Sequence, residues 1–459
     1  MPANISLRLR SSLCGFALLS LWGGAFAKPT PEQAATLNGP KLSCTGAERA
    51  ASKNGVAAFS GKWLDTWPGL TDPSAYTPGP YAAEKPLFTI TTDNSAQYTD
   101  RLSEGQKAML KQYGKAFRMP VYASHRDFRF PDLACAQTKQ NVISAALTKT
   151  GLGLTGMQGG VPFPFPEEGL QAIWNVLATR HVFNETATID TAGVFPNGSI
   201  TWGKQRYITY SPYGDPKGPA PAEKNVAAYF YDLVLLPLRD KGQIGVGYQP
   251  LDFADGSTRV WSYNPGTRRL RQAPDIAFDY PVPPSGLHTV DDDHLFNGSP
   301  ERFNWKLIGK RELYIPYHNF RINDPALKYA DLLTAKTINP EFMRYELHRV
   351  WVIEGTLKPG LRHVYGRRMI YADEDTWLAH WADNFDTRGQ LWRTGMVNYH
   401  YAPNAQAFHR GVTVFHDLNS EAYEAGYLVN EAGKNWWQLN RTDMSSKMFT
   451  PDAALRSGH

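Results

Sequence analysis

The sequence predicts a mainly β chain of the α+β kind, built as one large, strongly bent antiparallel sheet or incomplete β-barrel with a helical plug. Three observations predict it. The chain carries 13 Trp, 23 Tyr and 22 Phe beside 39 Gly and 33 Pro, a composition that favours strands and frequent turns over long helices. From Ser199 onward, short β-branched or aromatic runs follow one another with turn residues between them. Ahead of them lies one convincing amphipathic helix, Pro166 to Arg180, with Leu170, Ile173, Trp174 and Leu177 at spacings of three and four. Its apolar stripe is the natural cover for the concave face of the sheet.

The N-terminus has Arg8 and Arg10, an apolar run from Leu13 to Trp22, then Ala25-Phe26-Ala27. These are the parts of a secretory signal peptide over residues 1–27, and the apolar run is shorter than the roughly 20 residues a membrane span needs. Cleavage removes two arginines and no acids, so the formal charge falls from 48 − 43 = +5 to 46 − 43 = +3, too weak a bias for a nucleic-acid partner. It also removes Cys14 and leaves Cys44 and Cys135, which an oxidising compartment favours as a disulfide.

Residues 28–100 are rich in Pro, Gly, Ser and Thr and read as an extended arm on a main domain of residues 101–459. Within the arm, Leu87 to Thr91 suggests a strand. Ser103 with Gln106 forms a capping box for a short helix whose apolar side is Met109, Leu110 and Tyr113, and Val142 to Leu147 suggests another. The glycines from Gly151 to Gly160 lack the lysine and hydroxyl residue of a phosphate loop and read as a plain loop.

The strands then run Ile200 to Trp202, Tyr207 to Tyr210, Val226 to Leu236 (strand or buried helix), and Gly245 to Tyr248. Arg259 to Tyr263 turns through Asn264-Pro265-Gly266-Thr267, read as a type II turn, into a second run with Arg268, Arg269 and Arg271. Phe303 to Ile315 reads as strictly alternating, with Phe303, Trp305, Leu307, Leu313 and Ile315 on one face. Asp324-Pro325 opens a short helix, and strands resume at Tyr345 to Glu354, His363 to Tyr371, Trp377 to Asp383, Leu391 to Tyr399 and Val412 to Phe415.

No catalytic residue, metal or cofactor is nominated. His288, Asp291, Asp292, Asp293 and His294 have ligand chemistry, but adjacent residues of a loop point in different directions, and their Pro- and Gly-rich surroundings suit a solvated loop. Alternation puts Arg269 and Arg271 on one face, where they either clamp a carboxylate or phosphate head group or pair with acids of the sheet. The aromatic residues of several strands either line a lipid-sized cavity or fill a core. The ligand-binding set predicted on this basis is Ile173, Trp174, Leu177, Trp261, Tyr263, Trp305, Leu307, Trp351, Tyr371 and Trp392, with Arg269 and Arg271 for a head group.

Several segments carry a family resemblance: Gly46 to Arg49, Glu84 to Phe88, Gly159 to Pro164 with Ile173-Trp174, Trp261 to Arg271, Ala273-Pro274, Thr289 to Asp292, Phe296 to Pro300, Trp305 to Lys310, Arg362 to Tyr365, Asp373 to Trp377 and Gly389 to Trp392. Together they resemble the bacterial domain of unknown function 1329 family, placed with the LolA/LolB-like periplasmic lipoprotein carriers. The resemblance implies a LolA-like incomplete barrel on a helical plug, exported to the periplasm. It further implies a hydrophobic small molecule or lipid as ligand, with a resistance-nodulation-division type transporter and an outer-membrane protein as partners. The expected function is binding or carriage of a lipid-like molecule. A hydrolase acting on lipids or glycans, and a structural bridge between a pump and the outer membrane, are the alternatives.

Overall fold

The computed structural model describes residues 30–179, 182–273, 278–431 and 436–457; the predicted signal peptide lies outside them. One 16-stranded, mostly antiparallel sheet dominates. Its first meander comprises β1 (Asn184–Val194), β2 (Ile200–Tyr210), β3 (Val226–Leu236), β4 (Ile244–Pro250), β5 (Arg259–Asn264) and β6 (Arg269–Gln272). The second comprises β7 (Phe303–Pro316), β8 (Tyr345–Leu357), β9 (Tyr365–Asp373), β10 (Ala379–Asp386), β11 (Leu391–Ala402), β12 (Ala407–Asp417) and β13 (Ala422–Leu428). The meanders join where β13 pairs antiparallel with β1, Tyr423 opposite Val194 and Ala425 opposite Ala192. β6 and β7 are therefore at opposite ends of the sheet, which does not close into a barrel.

Because chain neighbours β6 and β7 lie at opposite ends, residues 278–302 cross one face as a strap. Ser285 sits against Gly193 of β1, His288 stacks on Phe415 of β12 at 4.5 Å, and Leu295 covers Gly395 of β11. The strap carries the acidic run, and burial rather than solvation is the outcome. Asp291 and Asp292 take the buried Arg368 of β9 between them, at 2.7 and 2.6 Å. Burial alone would raise the Asp291 carboxyl, but Arg368 and then His363 hold it below its ordinary value. A solvated loop was expected here; crossing a sheet face requires every charge to find a partner, and these do.

The opposite face has its own covers. Helix α1 (Glu104–Tyr113) starts at the predicted capping box of Ser103 and Gln106. Ser103 donates to Asp383 of β10 at 3.2 Å, and Gln106 donates to the Tyr314 carbonyl at 2.8 Å. A C-terminal segment with Phe449 and a helix over Pro451–Ser457 packs on Tyr229, Tyr231 and Tyr263 of the first meander. Helix α2 (Asp132–Ser144) was expected only over Val142 to Leu147, and it ends at Ser144, with Ala146–Leu147 extended: its buried residues are Thr138, Asn141 and Val142, so its body has no apolar stripe to detect. Its Asn141 instead bonds the carbonyls of Gly159 and Val161, pinning the glycine loop.

The predicted plug is helix α3 (Gly169–Ala178), buried at Gly169 and from Ala172 to Ala178. Its N-terminus presses on β7: a Cβ added at Gly169 would lie 2.4 Å from the Lys306 nitrogen. The predicted bond between Cys44 and Cys135 is present and ties the arm to α2.

Two local expectations are corrected. In the hairpin, the residue with left-handed backbone is Arg268 (φ 51°), and Gly266 is not among the positive-φ glycines, so the turn is not type II. In β7 the register against β8 shifts between Leu307 and Gly309. Before the shift, Trp305 and Leu307 oppose Gly355 and Ile353; after it, Leu313 and Ile315 oppose His348 and Glu346. This β-bulge puts Leu313 and Ile315 on the face opposite to Trp305 and Leu307.

Candidate functional site

The sheet bends so that residues of both meanders line one cavity of about 230 Å³. Tyr207, Phe230 and Asp232 come from the first meander, Tyr399, Phe408, Arg410 and Tyr427 from the second, Val176 from α3 and Thr179 from its C-cap, and Asp293 and His294 from the strap. The walls are aromatic and the floor is charged.

Arg410 organises that floor. Its guanidinium pairs with Asp293, lies 3.7 Å from Glu185 and stacks 3.7 Å over the Tyr427 ring, while its Nε has no hydrogen-bond partner in the protein. His409 bonds Glu185 at 2.8 Å. Burial pushes the Glu185 carboxyl up, but the His409 bond and charge outweigh it and lower it to about 2. Asp232 has no Lys, Arg or His within 4 Å among the described residues. Burial first, then the charge of Asp293, push its carboxyl up to about 7 against the weaker pull of Arg410.

The register extends this site along the sheet. Tyr207 opposes Asp232, Asp232 opposes Gly245, Gly245 opposes Ser262 and Ser262 opposes Arg271. Directly opposed residues share a face, so one row runs from the cavity wall to the edge of the sheet. Its middle is low. A Cβ added at Gly245 would meet nothing within 4 Å, and Ser262 is small, so the row forms a trough between Asp232 and the exposed Arg271. Arg269, also exposed, lies on the same face, and neither arginine has an acid within 4 Å among the described residues.

The other predicted ligand-binding residues are dispersed. Ile173, Trp174 and Leu177 are buried in the core, the Trp174 indole donating to the Gly151 carbonyl at 3.0 Å, and it is Val176 of α3 and the C-cap Thr179 that reach the cavity. Trp305 and Trp351 are on the strap side, Trp305 folded over Gly355 and 4.7 Å from Phe296, Trp351 stacked on Trp377 at 5.4 Å. Leu307, half-buried, shares their face. Trp261, Tyr263 and Tyr371 are on the opposite face; the first two pack against the C-terminal segment and Tyr371 bonds Asp383 at 3.2 Å beneath α1. Trp392 donates to Asp417 at 2.9 Å. Sequence reasoning missed Asp232 and Arg410, each a lone charge inside an apolar run, a signal that could have marked both.

Fold and site together define a bent, open antiparallel sheet with a helical plug and an amphipathic interior. The chain belongs to the family described as "Protein of unknown function (DUF1329)", which matches residues 89–456. An uncharacterized protein of Pseudomonas aeruginosa is 36% identical over 446 residues, covering 96% of this chain and 97% of that one. Among solved structures, a DUF1329 family protein from Desulfovibrio piger is 11% identical, with a TM-score of 0.41 over 60% of this chain and 92% of its own. A LolA superfamily protein from Nitrosomonas europaea is 10% identical, with a TM-score of 0.36 over 63% of this chain and 100% of its own. Among the described residues no helix is long and apolar enough to cross a membrane.

Proposed function

We propose that this protein is a periplasmic carrier that shelters an apolar or amphipathic molecule in the cavity between its two meanders and performs no chemistry on it. The observation that carries the reading is the aromatic wall of Tyr207, Phe230, Tyr399 and Phe408 over a charged floor, opening to a trough of small residues. The size limits the cargo. A dry cavity of about 150 Å³ holds one benzene ring, and drug-sized sites begin near about 300 Å³. At about 230 Å³ the cavity takes a two-ring molecule or the end of a longer chain. The remainder of such a chain follows Gly245 and Ser262, and Arg271 with Arg269 receives an anionic head group. Three strand spacings of about 4.8 Å separate Asp232 from Arg271, a span of roughly 14 Å.

Apolar contact supplies most of the affinity, at about 25 cal/mol per Å² removed from water before the costs of association. Purification from the periplasm under native conditions, followed by organic extraction and mass spectrometry, tests the reading. A co-extracted amphiphile, displaced by a fluorescent fatty-acid probe, supports it. A protein that extracts empty and binds no such probe contradicts it. Delivery to a resistance-nodulation-division type transporter and an outer-membrane protein belongs to the same proposal.

A further inference from the structure

Away from the cavity, on the face under α1 and the arm, His348 of β8, Asp373 at the end of β9 and Asp375 in the following turn are all buried. One ligand atom from each falls within 4.8 Å of the others. Acidic clusters are common, and the decisive feature is hydrogen bonding. Glu346 is an ionised acceptor, held by Arg344 at 2.6 Å and by His318 at 2.9 Å. His348 Nε2 lies 3.3 Å from that carboxylate and therefore donates to it. A neutral imidazole has one donor and one acceptor, so in that form Nδ1 presents a bare lone pair, and this atom has no hydrogen-bond partner.

That lone pair faces another acceptor. Asp373 Oδ2 receives the Thr376 hydroxyl at 2.8 Å and the Tyr317 hydroxyl at 3.3 Å, but Oδ1 has no hydrogen-bond partner, and neither has His348 Nδ1. The two atoms lie 3.8 Å apart. This is too long for a hydrogen bond, and leaving two buried acceptors face to face costs several times RT each. Asp373 also has no guanidinium or ammonium within 4 Å among the described residues, whereas Glu346, Glu374 and Asp375 pair with Arg344, Arg349 and Arg126.

We infer that His348, Asp373 and Asp375 bind a divalent transition-metal cation of the zinc type. Two ligands about 2.0–2.2 Å from one ion are at most about 4.4 Å apart, so the 3.8 Å pair fits. The outer bound of 4.8 Å asks only a few tenths of an ångström of carboxylate rotation. The pairing of His348 Nε2 with Glu346 is the outer-shell carboxylate that orients a metal-ligating imidazole. Arg126 grips Asp375 at 2.6 and 2.7 Å and donates to the arm carbonyls of Glu48 and Ala57, so the ion ties the arm to the sheet.

The test is elemental analysis of the mature full-length chain purified without chelator, with melting followed before and after chelation. A single divalent cation per chain is expected. For a chain of this size, a metal present at about a thousand times its dissociation constant raises Tm by roughly 5 °C, which chelation removes and zinc or cobalt restores. Asp373→Asn should lose the metal and the response to chelator. A wild-type protein without divalent metal above background, whose Tm is unmoved by zinc, cobalt or manganese, overturns the inference, leaving a bridging water or a proton between the two acceptors. Should Asp373→Asn fail to fold, wild-type stoichiometry and the chelation shift decide alone.

Discussion

Replacing Asp232 with Asn should stabilise the protein at alkaline pH and leave it unchanged at acid pH. The Asp232 carboxyl lies in the cavity wall, where burial and Asp293 raise it from an ordinary 3.8 to about 7. An acid raised in the folded state binds its proton more tightly there than in the unfolded chain. Below pH 4 both states are protonated and the group costs nothing. Between about 4 and 7 the unfolded chain loses the proton first, so stability falls as pH rises, reaching its full deficit above 7. At about 1.36 kcal/mol per tenfold, that difference is worth about 4 kcal/mol. Asp232 is only half-buried, so solvent screening reduces the expected effect to about 2 kcal/mol. Urea denaturation of wild type and Asp232→Asn at pH 4 and pH 8 measures it, and comparing the two chains cancels Asp383, whose carboxyl burial also raises, to about 6. An Asn variant less stable than wild type at pH 8 would refute the reasoning, because it would mean that the carboxylate has a favourable partner.

The remaining predictions concern the scaffold. Cys44 and Cys135 close a loop of 91 residues, so the double Ser variant should lose about 4–5 kcal/mol by urea denaturation, and reductant should bring wild type to the same midpoint. Gly169→Ala should cost about 1–3 kcal/mol, since its Cβ would meet the backbone of β7 at 2.4 Å and one of the two elements must move; an unchanged Tm would show that α3 does not press on that strand. Trp174→Phe should lower Tm but leave probe affinity within about twofold, because the indole is core and lies outside the cavity lining.

How much of this was legible in the sequence follows from where charge sits. β8 and β11 are long apolar or aromatic runs and read directly as strands, and the capping box of α1 is equally plain; the apolar run of β3 left strand and buried helix open, because it does not alternate. Strand β1, at the junction of the meanders, was missed: Asn184 to Val194 reads Asn-Glu-Thr-Ala-Thr-Ile-Asp-Thr-Ala-Gly-Val, with polar residues on both faces. Glu185 pairs with His409, and Asp190 with Lys204 on the neighbouring strand and with Tyr329; His409 and Tyr329 are far away in sequence. The bulge in β7 was invisible for a related reason. Leu307 and Leu313 keep an even spacing in sequence, and only the pairing with β8 shows that one extra residue turns the strand over. The plug helix was found, but its most conspicuous residue is not its cavity residue. Periodicity identifies the stripe of Leu170, Ile173, Trp174 and Leu177, whereas the cavity is met by Val176 and the C-cap Thr179, which are also buried but fall outside that stripe.

The central claim is that an apolar molecule occupies the cavity between the meanders, and cavity filling tests it most directly. Thr209 lines the cavity, half-buried, on the same face as Phe230. Thr209→Trp should fill much of about 230 Å³ without entering the core. In titrations with a fluorescent fatty acid, wild type should saturate at a single site and Thr209→Trp should bind at least about tenfold more weakly, the equivalent of about 1.4 kcal/mol, with Tm unchanged. Equal affinity of the two proteins would place the ligand elsewhere and contradict the account.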